Sequence, residues 1–240
     1  MRADYNLVDT KIMILCGGLG SRLKPVVPNT PKVLTNINGI PFLDSLILKF
    51  LKQGFQNFIL CVGHMKEKII NHYSSDNNFN ISFSTETYLL GTGGAIKNAL
   101  PLVENSFFIA MNGDSYCDVN LMDLIKFHLK NDADISIVTS VSGSSRSDTG
   151  LIRINDSNKI ISFKEKGANT GEYYLNAGIY VINKNIIDSY DSKLFSFEED
   201  FLPELIKKNN IYGYKTINPI YDIGTPQRYQ KFINLDIENI

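Results

Sequence analysis

The sequence predicts an α/β fold: a mostly parallel, Rossmann-like sheet with helices on both faces, followed by a smaller β-rich region. Three observations predict it. The runs at 12–15, 58–62 and 107–111 are short and uninterrupted by charge, as strands buried on both faces are. Segments with helical apolar spacing separate them. The 240 residues, 43% hydrophobic and 20% charged, have ordinary globular composition and enough length for one such domain.

Each element has its own signal. The first run, Ile12-Met13-Ile14-Leu15, leads directly into Cys16-Gly17-Gly18-Leu19-Gly20-Ser21-Arg22-Leu23-Lys24-Pro25. From 41 to 52, Phe42, Leu43, Leu46, Ile47, Phe50 and Leu51 share one helical face, and Gly54 supplies the stop. A strand at 58–62 and a short helix at 66–73 follow, then Ile81-Ser82-Phe83-Ser84 alternates as a strand. Gly91-Thr92-Gly93-Gly94 opens a helix over 95–100, and the strand at 107–111 ends in Asn112-Gly113-Asp114. A helix over 121–131 and a strand over 135–140 complete a β-α-β-α-β order. After the polar run Ser142-Gly143-Ser144-Ser145-Arg146-Ser147 come strands at 151–154, 160–164 and 174–182. A helix over 198–208, a strand over 212–215 and a helix from Pro226 close the chain. No repeat or linker divides it, so a single domain over 1–240 is expected, with its texture changing near residue 140.

Composition excludes several functions. A formal net charge of -1 supplies no field for nucleic acid or an anionic membrane. No apolar run approaches the roughly 20 residues of a membrane span. Cys16, Cys61 and Cys117 lie in or beside apolar runs without metal or redox spacing, so reduced core thiols of a cytoplasmic protein are expected. His64, His72 and His128 lack metal spacing and read as surface or capping groups, and Lys66-Glu67-Lys68 as a solvated helix face.

The glycine loop carries the chemistry. Gly17, Gly18 and Gly20 remove side chains where the backbone turns tightly, and successive bare N–H groups make an anion-binding concavity. Arg22, Lys24 and Lys32 surround it with positive charge. A dinucleotide fingerprint fails because Leu23 stands where its third glycine belongs, and no Lys-Ser or Lys-Thr pair completes a Walker A loop. The remaining pattern is G-G-x-G-S-R-L-x-P followed by Pro31-Lys32.

On these residues the chain resembles the sugar-1-phosphate nucleotidylyltransferases, whose loop carries Thr where this chain has Ser21. The resemblance continues through Leu90 to Ala95, Asn112-Gly113-Asp114, Phe163-Lys164-Glu165-Lys166, Asn176-Ala177-Gly178-Ile179-Tyr180 and Tyr221-Asp222-Ile223-Gly224-Thr225-Pro226. Within the family it looks most similar to the D-glycero-D-manno-heptose 1-phosphate guanylyltransferases, around Ile37-Asn38-Gly39, Leu90 to Ala95 and Phe195-Ser196-Phe197-Glu198.

The resemblance implies transfer of a nucleoside monophosphate to a sugar 1-phosphate, with residues 1–140 binding the nucleoside triphosphate and 141–240 the acceptor. Arg22, Lys32 and Asp114 are the expected catalytic residues, and Asp114 and Asp222 the ligands of Mg²⁺. Leu15, Gly17, Gly18, Gly20, Ser21, Glu86, Gly91, Thr92 and Gly113 are expected to bind the nucleotide. Gly150, Glu165, Lys166 and Asn176 are expected on the acceptor, although Asn176 could instead bond backbone. Glu86 stands where the family reads the base. An ionised carboxylate only accepts hydrogen bonds and so suits the adjacent N–H donors of guanine, favouring GTP over CTP and UTP. Cytidylyl or uridylyl transfer, a nucleotide-sugar glycosyltransferase and a non-catalytic sensor are the alternatives. A homo-oligomer is compatible with the sequence.

Overall fold

The computed structural model describes residues 7–74, 80–141, 150–164, 173–208 and 210–234. In chain order the first elements are β1 (Ile12–Leu15), β2 (Asn36–Ile37), β3 (Ile40–Pro41), α1 (Phe42–Lys52), β4 (Asn57–Val62), α2 (Lys66–Ser74) and β5 (Asn80–Thr85). Then come α3 (Gly91–Ala99), β6 (Phe107–Asn112), β7 (Ser115–Cys117), α4 (Leu121–Lys130), β8 (Ile135–Ser140), β9 (Leu151–Ile154) and β10 (Ile160–Lys164). The last are β11 (Tyr174–Asn183), α5 (Lys184–Asp188), α6 (Leu202–Leu205), β12 (Ile211–Thr216), β13 (Ile220–Asp222) and α7 (Pro226–Ile233).

Among the described residues, nine strands form one sheet. β1 runs parallel between β4 and β6, and β5 extends the parallel set beyond β4. β11 is antiparallel to both β6 and β8, and β12 is parallel to β8. The strands expected as a β-rich continuation therefore extend the same sheet.

The position of β9 and β10 matters for function. β11 pairs with β6 only from Ile179 onward, while its first residues, Tyr174 and Leu175, pair with β9 on that same edge. The β9–β10 hairpin thus stands past the carboxyl end of β6, beside the edge where open α/β sheets hold ligands. Gly178 makes this possible. Its φ of 69° sits inside a register shift between Asn176 and Tyr180, and a Cβ there would lie 2.6 Å from Asn112 Nδ2.

Burial of the central strands on both faces explains their unbroken apolar runs. In β1, Ile12 and Ile14 point into one cluster with Phe42, Phe50, Phe58 and Leu60. Met13 points into the other, with Ile59, Phe108, Ala110 and Tyr180. Helix α1 ends as its sequence indicates: Gly54 has φ 93°, and the N–H groups of Gly54 and Phe55 donate to the carbonyls of Leu51 and Phe50. Pro226 opens α7 behind Thr225, whose hydroxyl accepts from the Arg228 N–H at 3.3 Å.

Four expectations are corrected. The helix expected over 198–208 is a π-helical turn over Phe197–Phe201 followed by the four-residue α6. Pro203 has no N–H to continue a regular ladder back into the preceding turn. Helix α3 begins at Gly91, so the glycines expected to precede the helix form its first turn. His128 is buried: its ring nitrogens lie 3.1 Å from Ser136 Oγ and 3.1 Å from Asn183 Oδ1, and burial holds its pKa below 6.5. Of the expected solvated face, Glu67 and Lys68 are exposed, but Lys66 is half-buried and its Nζ donates to the Glu86 carbonyl at 3.3 Å.

The three cysteines are buried and free, as expected, and burial raises all three thiol pKa values, that of Cys117 to about 12. No helix among the described residues is long and apolar enough to cross a membrane.

Candidate active site

The glycine loop leaves the carboxyl end of β1 and returns through Pro31 to Lys32, enclosing a cavity of about 300 Å³ against the end of β6 and the start of α3. Each glycine has a separate reason. A Cβ on Gly17 would lie 3.1 Å from Glu86 Oε1, so its bareness admits that carboxylate. One on Gly18 would meet no atom within 4 Å, which leaves its backbone open to the cavity it lines. Gly20 turns the loop with φ 60°, and the N–H of Leu23 donates to its carbonyl. Ser21 and Arg22 follow on the exposed side of that turn. Gly113 has no room for a Cβ, which would come 2.6 Å from the Leu15 carbonyl oxygen, so the ends of β1 and β6 close together there.

Lys32 and Asp114 form an ion pair at the cavity wall. Burial alone would push the Asp114 carboxyl up. The Lys32 ammonium and the Ser115 hydroxyl outweigh it and hold the pKa below 3.8, so the group is ionised at neutral pH. Asp222 arrives from β13, which pairs antiparallel with β7 so that Asp222 faces Ser115. The N–H of Ile223 donates to the Asp114 carbonyl at 3.1 Å, tying the two aspartate-bearing turns together. Asp222 Oδ1 accepts from the Gly224 N–H at 2.9 Å and from Arg228 at 3.3 Å. A Cβ on Gly224 would lie 3.6 Å from Arg22 Nη2, which brings the loop arginine to the Asp222 turn. Two carboxylates on adjoining turns, one ionised against burial, offer hard oxygen donors of the kind a divalent cation takes alongside phosphate. No group of three or more acidic, His or Cys ligands occurs among the described residues.

Glu86 occupies the opposite wall. It is buried, 8% exposed, with Oε2 accepting the Leu90 N–H at 3.2 Å. Desolvation raises its pKa above 4.5 against the opposing effect of that hydrogen bond.

The Gly91-Thr92-Gly93-Gly94 turn works differently from what its composition suggests. Gly91 and Thr92 line the cavity, but the N–H groups of Gly93 and Gly94 donate to the Phe195 carbonyl at 3.0 and 3.2 Å. Cβ atoms on Gly91 and Gly94 would lie 2.4 Å from the carbonyl oxygens of Phe195 and Lys193. These glycines admit the 193–196 segment onto the helix. Gly91→Ala adds this overlap to a φ of 75°, and a loss of about 3 kcal/mol or more is expected. Thermal melting reads it as a drop on the order of 6–12 °C for a chain of this size.

Among the residues expected on the acceptor, the Gly150 carbonyl accepts from the Asn176 N–H at 2.9 Å, and a Cβ on Gly150 would meet Phe163 Cζ at 2.8 Å. The Asn176 amide accepts from the Gly178 N–H at 3.0 Å and donates to Tyr180 Oη at 2.8 Å. Glu165, Lys166 and the polar run 142–147 lie outside the described residues. Sequence reasoning gave no site role to Asn112, which lines the cavity, nor to Lys66, Tyr180 and Glu198. Asn112 was legible from its place before Gly113-Asp114. The others depend on contacts across long sequence separations.

Fold and cavity together place the chain among α/β proteins that hold phosphorylated ligands at the carboxyl edge of a parallel sheet. It belongs to the nucleotidyl transferase family, which it matches over residues 11–239. It is 34% identical over 221 residues to the D-glycero-alpha-D-manno-heptose 1-phosphate guanylyltransferase of Aneurinibacillus thermoaerophilus, covering 91% of this chain and 95% of the relative. Identity to the Campylobacter jejuni protein of the same name is 35% over 224 residues, covering 92% and 97%. The crystal structure of HddC from Yersinia pseudotuberculosis complexed with GMP-PN matches with TM-score 0.82 and 37% identity, covering 93% of this chain and 98% of that one.

Proposed function

We propose that this protein is a sugar-1-phosphate guanylyltransferase that transfers GMP from GTP to the 1-phosphate of a manno-configured heptose. The buried Glu86 carboxylate at one end of the cavity, with the Lys32–Asp114 pair at the other, carries this reading. The names of the relatives support the same nucleotide and acceptor. In this reading residues 1–140 form the nucleotide half and 141–240 the acceptor half of a single domain, working in the cytoplasm where GTP is supplied.

An acceptor phosphate oxygen attacks the α-phosphorus in line. A phosphorus–oxygen bond forms there as the bond to the bridging α–β oxygen breaks, and pyrophosphate carries the electron pair away. The attacking oxygen is already anionic, so the site needs no strong general base and works by positioning and charge neutralisation. Gly17, Gly18 and Gly20 hold the triphosphate through backbone, with Ser21 beside them. Arg22 and Lys32 offset charge on the α-phosphate and the departing pyrophosphate. Glu86 accepts from the guanine N–H groups. Gly150, Glu165, Lys166 and Asn176 hold the sugar phosphate. Asp114 and Asp222 would hold Mg²⁺, which when bound supplies further positive charge to the phosphates.

Pyrophosphate release measured across four nucleoside triphosphates and a panel of sugar 1-phosphates tests the assignment. GTP with the heptose 1-phosphate is expected to give the highest kcat/KM. A preference for UTP or CTP would defeat the base assignment, and turnover without any sugar phosphate would defeat the acceptor class. Glu86 also sets a pH dependence. Its pKa lies above 4.5, so lowering the pH from neutral protonates it and removes an acceptor for guanine. The KM for GTP is expected to rise as pH falls through that range and to stay flat in Glu86→Gln.

A further inference from the structure

The proposed reaction leaves unused a buried glutamate side chain that joins the first turn of α3 to β11. Glu198 is 8% exposed, at the start of the π-helical turn over Phe197–Phe201. Both its oxygens are taken by hydroxyls. Thr92 Oγ1 donates to Oε2 at 2.6 Å, and Tyr180 Oη donates to Oε1 at 3.1 Å. Thr92 lines the cavity from the first turn of α3, and its hydroxyl also accepts the Phe197 N–H at 2.9 Å. Tyr180 lies in β11, where its hydroxyl accepts from Asn176 Nδ2 at 2.8 Å.

We propose that Glu198 is a positioning residue that orients the acceptor-binding Asn176 through Tyr180 and fixes the nucleotide-side turn at Thr92. The inference rests on the assignment of Asn176 to the acceptor made above. Its physical content is directional. A carboxamide has two N–H donors and an oxygen with two acceptor sites. The Gly178 N–H fixes the oxygen end of Asn176 at 3.0 Å, and Tyr180 takes one N–H. Among the described residues nothing else bonds the second N–H and the second acceptor site, which are left for a sugar hydroxyl, and the amide cannot flip without losing both anchors. With its proton directed at Glu198, the Tyr180 oxygen presents its lone pairs to Asn176, so Glu198 sets the polarity of the chain. Its burial and the edge-on packing of Tyr180 against Phe197, with centroids 4.9 Å apart, keep that chain free of slack.

Tyr180→Phe removes one oxygen and keeps the ring, so it cuts the chain without hollowing the core. The KM for the heptose 1-phosphate is expected to rise about five- to tenfold, the worth of one positioning hydrogen bond. The KM for GTP is expected to stay within about twofold. Thr92→Val is expected to do the reverse. Equal rises in both constants that track a loss of melting temperature would mean a purely structural role and overturn the inference. Asn176→Ala separates the two levels. If it raises the acceptor KM and Tyr180→Phe does not, Asn176 binds the acceptor but the relay is wrong. If Asn176→Ala leaves that KM unchanged, the acceptor assignment fails and the relay falls with it.

Discussion

Asp114→Asn is expected to lower kcat by about 10²–10³-fold while leaving the fold intact. The magnitude follows from where the charge sits. Asp114 stays ionised despite burial because Lys32 is held against it, so the cavity wall carries a pair of opposite charges, which the proposed reaction sets beside the phosphates. Replacing the carboxylate by an amide keeps the shape and the hydrogen bond to Ser115 but removes one full negative charge. That charge serves two purposes in the proposed reaction: it holds Lys32 in place, and it would supply one of two carboxylates to Mg²⁺. Lys32 is then free to bind the triphosphate too tightly in the ground state, which lowers the KM for GTP as kcat falls. Steady-state kinetics over a range of Mg²⁺ concentrations reads the outcome. The variant is expected to need more Mg²⁺ for half-maximal rate, and its melting temperature to stay within a few degrees of the parent. An unchanged kcat with unchanged Mg²⁺ dependence would remove Asp114 from the mechanism. Asp222→Asn is a weaker version of the same experiment, because the carbonyl oxygen of an amide still accepts the Gly224 N–H and Arg228 bonds.

Much of this arrangement could be read before any coordinates, for physical reasons that vary by element. Strands buried on both faces leave an unbroken apolar signature, so β1, β4 and β6 were visible as runs. Helix α1 was visible through its face and its Gly54 stop. Short antiparallel pieces carry no such mark: β7 and β13 are three residues each, yet their pairing is what carries Asp222 to Asp114. The Gly91-Thr92-Gly93-Gly94 turn shows a different limit. Glycine clusters mean close approach, but sequence does not say of what. Here the approaching backbone is residues 193–196 of the same chain, a hundred positions away. The role of Glu198 was hidden for a similar reason. The sequence shows it as the last residue of Phe195-Ser196-Phe197-Glu198, and only the meeting of Thr92 and Tyr180 at its oxygens makes it a buried junction.

Glu86→Gln is expected to cost GTP about 10²–10³-fold in kcat/KM and to change UTP turnover by less than about tenfold. Two adjacent N–H donors of guanine meeting an ionised carboxylate make charge-assisted hydrogen bonds, each worth about 1.5–3 kcal/mol. An amide offers one acceptor and presents its own donors to the other guanine N–H, so one contact weakens and one turns repulsive. Sites built to satisfy buried polar groups discriminate strongly for this reason, since the wrong partner leaves a desolvated group unpaired. The geometry around Glu86 sharpens the effect. Gly17 and Gly63 both leave room for its carboxylate, with Cβ positions 3.1 Å from Oε1 and 3.5 Å from Oε2. The Leu90 N–H holds Oε2 and orients the plane of the group. A glutamine in this slot must either keep its oxygen on the Leu90 N–H, turning NH₂ toward the base, or give up that bond to face the base with oxygen. Either choice loses something, so the variant does not simply become a weaker guanine reader. Competition between GTP and UTP in a single reaction, with the two nucleotide sugars separated and counted, measures the ratio directly. A ratio unchanged from the parent would place base selection elsewhere in the cavity.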